Sequence, residues 1–116
     1  MKMGQEHSST RSASRKPSTP DLHWVAGFIE GEGTFYKNNT NSQGIKVSQV
    51  QKQPLEKLLS LLGGSLRKHK ASTRPSRVSQ GSYYWYVGGA RARGIMLTLY
   101  SLMSPKRKLQ IQRALS

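Results

Sequence analysis

The sequence predicts an α+β fold: a four-stranded antiparallel sheet with helices packed on one face, in the order αββαββαα. Three observations carry this. Short stretches such as Ile45-Lys46-Val47-Ser48-Gln49 alternate apolar and polar residues with the period of a half-buried strand. Between them lie stretches whose leucines or other apolar residues recur at helical spacing. Glycine pairs at Gly63-Gly64 and Gly88-Gly89 punctuate the changes of period. A sheet covered by helices on one side leaves its other side to solvent or a ligand.

The elements follow in order. Residues 1–20 are rich in Ser, Thr, Arg and Lys and hold almost nothing that packs, so they predict a disordered basic tail before a folded domain over 21–116. Thr19-Pro20-Asp21 starts a helix, with Thr19 as cap, Pro20 at the first helical position and Asp21 facing the positive helix end. The helix runs through Leu22 to Glu30, and Gly31 and Gly33 end it. Thr34–Lys37 and Ile45–Gln49 are strands around a polar turn at Asn38–Gly44. Pro54 opens a second helix with Leu55, Leu58, Leu59 and Leu62 on one face. Ser65–Lys70 is a basic strand, residues 71–81 a loop, and Ser82–Val87 a strongly β-prone strand. A third helix carries Ile95, Met96, Leu99, Leu102 and Met103, and Ser104-Pro105 caps a final helix over Lys106–Leu115.

Charge narrows the partners. Nineteen Lys and Arg stand against five Asp and Glu, a formal net charge of +14. Residues 1–20 hold four of the bases and one of the acids, which leaves +11 on residues 21–116. A compact domain with this charge calls for a polyanion, nucleic acid first and an anionic membrane surface second. The absence of cysteine excludes disulfides and thiolate metal sites. No apolar run is long enough to span a membrane. The first residues lack the apolar core of a secretory signal; their Arg and Ser suit an organellar transit peptide or a flexible DNA-contacting arm.

The segment Val25-Ala26-Gly27-Phe28-Ile29-Glu30-Gly31-Glu32-Gly33 combines two acids with small residues at helical spacing. Gly27 and Gly31 stand i, i+4 on one helix face. Each costs roughly 1 kcal/mol relative to Ala, and close approach of a second backbone would offset that. The alternative is that one of them, Gly31 above all, is only a helix cap. Trp24, Phe28 and Ile29 are expected to face the chain's own core.

This segment resembles the LAGLIDADG motif of homing endonucleases, and the resemblance extends over residues 21–116 through Gln49 before Leu55-Glu56-Lys57-Leu58, Leu62-Gly63-Gly64-Ser65, Tyr83 with Trp85, and Ser104-Pro105-Lys106-Arg107-Lys108. A single copy of the motif implies a homodimer with Gly27 and Gly31 at its two-fold axis. The resemblance further implies metal-dependent hydrolysis of both strands of a long, near-palindromic double-stranded DNA site, in the service of a mobile intron. Glu32 would be the metal ligand for Mg2+ or Mn2+, meeting its mate at the axis, since a carboxylate at the negative end of a helix beside a second carboxylate needs a cation. Many family members carry Asp there. Glu30 would be structural. Gln49 would position water, with Gln51 as the alternative, and Lys106 would stand near the scissile phosphate, with Lys108 as the alternative. Such an enzyme works inside the cell, in a bacterial or phage setting or in an organelle.

Strand alternation supplies the reading surface. Phe35, Ile45, Val47, Leu66, Tyr83, Trp85 and Val87 share an apolar face. Thr34, Tyr36, Asn38, Lys46, Ser48, Arg67, His69, Tyr84 and Tyr86 then share a polar, basic and aromatic one, suited to base edges in the major groove. Arg67 suits guanine and Asn38 adenine. Two other readings stay open: the same fold as a non-cleaving DNA-binding protein or intron splicing cofactor, and an RNA-binding protein.

Overall fold

A capping box sets the first helix. The Asp21 amide donates to Ser18 Oγ at 3.2 Å, and the Ser18 amide donates back to Asp21 Oδ2 at 2.9 Å. Ser18, not Thr19, is therefore the cap: it stands three residues before the acid, which is the spacing the reciprocal pair needs. The computed structural model of the chain describes residues 8–11 (backbone only), 16–69 and 82–116. The expected loop at 71–81 and the end of the expected strand at Lys70 lie outside them.

In chain order the elements are β1 (Ser8–Arg11), α1 (Thr19–Glu32), β2 (Gly33–Lys37), β3 (Gln43–Gln49), α2 (Gln53–Leu62), β4 (Gly64–Lys68), β5 (Tyr83–Gly88), α3 (Gly89–Leu99), a short 3-10 turn (Tyr100–Leu102) and α4 (Pro105–Leu115). All pairings are antiparallel, and the sheet order is β1-β4-β5-β3-β2. The expected αββαββαα order is present. A fifth strand is added at the edge by residues 8–11, within the segment expected to be unstructured. Its Ser-Ser-Thr-Arg sequence has no apolar alternation, so nothing local marks it as a strand; it forms on the open edge of β4.

The core lies between the helices and one sheet face. Phe35, Ile45, Val47, Leu66, Trp85 and Val87 are buried from the sheet, and Val25, Ile29, Leu55, Leu58, Met96, Leu99 and Ile111 from the helices. Tyr83 packs against this core from the same face. Trp85 is fully buried, and its indole N–H donates to the Gly63 carbonyl at 2.7 Å, which satisfies its one polar group. Gly64, at φ +99°, lets β4 start beneath the Tyr86 carbonyl, which would stand 2.7 Å from any Cβ there.

Two expectations are corrected. Gly31 does not end α1; the helix continues to Glu32, and the Gly33 amide closes it on the Ile29 carbonyl. Leu102 is not part of a continuous third helix; α3 stops at Leu99, the chain tightens into the 3-10 turn, and Leu102 is exposed. Trp24 and Phe28 do pack against the core as expected, half-buried, and stack on each other, 5.2 Å between ring centroids, with the Lys57 ammonium 4.2 Å from the Trp24 ring.

Candidate functional site

The two acids at the end of α1 part company. The Glu30 carboxylate accepts from the Ser104 amide at 2.9 Å and the Ser104 hydroxyl at 2.7 Å. Arg107 adds an N–H to the Glu30 carbonyl at 3.0 Å and stands 3.9 Å from its carboxylate. The Ser104 hydroxyl and amide, with help from Arg107 and Lys106, hold the Glu30 carboxyl below its ordinary value. Glu30 thus ties the end of α1 to the start of α4. Glu32, one residue before β2, is exposed.

Glu32 shares an open depression of about 540 Å³ with Ser48, Gln49, Val50, Gln51 and Ser82. The sheet brings these together. Gly33, directly after Glu32, pairs with Val47, and Gln49 pairs with Tyr83. The end of β3 and the start of β5 therefore lie beside the end of α1. The depression contains Glu32, Gln49 and its alternative Gln51. Lys106 does not line it. It is exposed on the first turn of α4, which Ser104 anchors to Glu30. Lys108 lies 5.5 Å from the Tyr100 ring, and Arg107 is committed to Glu30 and Gln110, so of the three consecutive bases Lys106 is the exposed one. A basic pair absent from the sequence expectations flanks Tyr83 beside the depression: the Lys52 and Lys68 ammoniums stand 5.8 and 6.0 Å from its ring. Register alone brings Lys68 there, opposite Tyr83, and no sequence signal marked it.

The sheet's open face is organised in rows. One runs Ser48–Tyr84–Arg67 and another Thr34–Lys46–Tyr86–Ser65, each across neighbouring strands. The Lys46 ammonium lies 4.6 Å from the Tyr84 ring, His69 packs against Tyr84 at 4.5 Å, and Tyr84 stacks with Tyr86 at 6.0 Å. Tyr36 lies across Gly44 so closely that a Cβ there would meet its ring at 2.4 Å. Eight of the nine residues expected on this face thus belong to it or to its margin. Asn38 does not. It follows β2 in the turn, where its side-chain oxygen accepts from the Thr40 amide and hydroxyl and the Ser42 amide. A side-chain oxygen already taken by the turn is not available for the adenine pairing expected of it.

Gly27 and Gly31 are exposed, and a Cβ on either meets nothing within 4 Å. Neither has a positive φ. Among the described residues nothing requires a glycine at these positions, and the cap alternative for Gly31 is removed.

No protein-family model and no curated protein matches the sequence. Among solved structures, the chain is similar to the homing endonuclease I-CvuI, whose structure was determined in complex with the I-CreI target in 2 mM Mg and revealed DNA not cleaved. The TM-score is 0.50 at 19% identity, over 78% of this chain and 63% of that one. The fold is a homing-endonuclease fold. This chain spans less than two thirds of that endonuclease's length. Among the described residues of this homing-endonuclease fold, no helix is long and apolar enough to cross a membrane.

Proposed function

We propose that this chain is a homodimeric, site-specific DNA endonuclease of the LAGLIDADG kind, which hydrolyses both strands of a near-palindromic duplex with Mg2+ or Mn2+. The observation that carries the reading is the meeting of Glu32 and Gln49 in one open depression beside a basic, aromatic sheet face. The metal donors fit in kind: a carboxylate, two carboxamides and two hydroxyls, all oxygen ligands suited to a hard cation. They fall short in number within one chain. The described residues contain no group of three or more His, Cys, Asp or Glu able to hold a metal. A second copy related by a two-fold axis along Gly27 and Gly31 supplies a second Glu32, and the open space over both glycines supports that pairing.

Glu32 of each copy would hold the metal, which would supply Lewis acidity toward water and phosphate. The chain's own residues do the remainder. Gln49 orients water through its carboxamide. Lys106 offsets charge that develops on the phosphate. Lys46, Arg67, Thr34, Tyr36, Ser48, His69, Tyr84 and Tyr86 face the groove, the cations neutralising phosphate or pairing with guanine. Such a protein acts inside a bacterial or phage-infected cell, or in an organelle, as the product of a mobile intron.

The test is a randomised duplex library incubated with the chain and magnesium, followed by sequencing of nicked molecules. The expected result is cleavage at one near-palindromic site, with affinity that falls steeply with salt. Tight binding of one site without cleavage in magnesium or manganese replaces this reading with the non-cleaving DNA-binding protein. Preference for RNA over duplex DNA replaces it with the RNA reading.

A further inference from the structure

We propose that β1 is a fifth DNA-reading strand, which widens the base-contacting face of each protomer beyond the four strands of the sheet proper; this rests on the DNA reading above. The register carries it. Ser8 pairs with Arg67 and Thr10 with Ser65. Cross-strand partners in an antiparallel ladder share a face. Position 8 therefore extends the row Ser48–Tyr84–Arg67, and position 10 the row Thr34–Lys46–Tyr86–Ser65.

The composition of the strand supports the same conclusion. Ser-Ser-Thr-Arg holds no apolar residue, so β1 has none to give to the core. Hydroxyls both donate and accept, and they pair with base edges of either kind. One strand adds about 4.8 Å to the width of the sheet, roughly one and a half base steps of duplex. The edge that gains it is opposite β2, the strand that leaves Glu32. The rival role is simple protection of the β4 edge against pairing with other chains.

The two roles separate in a specificity profile. Selection from a randomised duplex library is run with the full chain, with the double variant Ser8→Ala/Thr10→Ala, which keeps every backbone hydrogen bond of the ladder, and with a chain lacking residues 1–11. The expected result is that preference at one or two adjacent positions of each half-site drops about tenfold in both variants, with the remaining positions unchanged. A profile identical to that of the full chain overturns the proposal, whether or not the shortened chain aggregates. A uniform loss of affinity with no change in base preference overturns it also, because it assigns β1 to charge alone. A full chain that selects no duplex sequence removes the DNA reading, and this proposal with it.

Discussion

Glu30 and Glu32 leave the same helix two residues apart and enter two regions built on different terms. At the junction of α1 and α4, Glu30 meets Ser104 and Arg107 and is held by hydrogen bonds. At the depression, Glu32 is exposed, with Gln49 and two serines as its neighbours. The first region satisfies its charge within the chain. The second leaves a carboxylate at the negative end of a helix without such compensation among the described residues. Acids this close on one helix are told apart by what the fold brings to each.

The comparison is broken most severely by exchanging the roles. Glu32→Gln is expected to lower cleavage by at least about a hundredfold, with duplex binding retained and stability changed by less than about 0.5 kcal/mol. Single-turnover cleavage and a binding titration on the same duplex measure this. Cleavage at near the wild-type rate would move the metal-ligand assignment to Glu30. Next in size is Gly27→Leu. A side chain there enters space that the chain leaves open, so the folded protomer should persist while the dimer is lost, and cleavage with it. Sedimentation at micromolar concentration, with and without duplex, reads the outcome. A wild-type chain that is monomeric in both conditions ends the two-copy site.

The smallest effect sharpens the comparison from the other side. Glu30→Ala should cost about 1–2 kcal/mol of stability, the value of charge-assisted hydrogen bonds discounted for partial exposure. The Glu30 carboxyl titrates below its ordinary 4.5 in the folded chain, so the unfolded chain takes up the proton first as pH falls. Its contribution is therefore whole above about 4.5 and is lost as pH drops through the folded value. Melting curves of the two proteins should lie furthest apart near neutrality and converge in acid. A constant gap across that range would separate the stabilisation from the charge of Glu30.

The order of elements was readable because period, caps and glycine pairs are local signals. Glu32 and Gln49 were readable as a pair only through the motif, since the strands that join them belong to the fold. Most of what escaped the sequence is non-local. β1 depends on the edge of β4, not on any pattern of its own. The commitment of Arg107 to Glu30, which leaves Lys106 as the exposed base, spans 77 residues. Lys68 beside Tyr83 follows from register. Asn38 is the exception, since an Asn at the head of a polar turn is a local turn former. Its place at the end of an alternating strand made it resemble a face residue instead.

The brace formed by α4 also bears on the order in which the chain folds. The helix is fastened at its start to Glu30 and at its end to Gln43, whose side-chain amide donates to the Ala114 carbonyl at 2.9 Å. These bonds join positions 74 and 71 residues apart, whereas the β2–β3 hairpin closes over fewer than fifteen. Closure entropy is lost before such distant bonds form, so the hairpin has the advantage in time and the brace is a late event. Ser104→Ala should then speed unfolding and leave the refolding rate nearly unchanged, a signature that stopped-flow chevrons resolve.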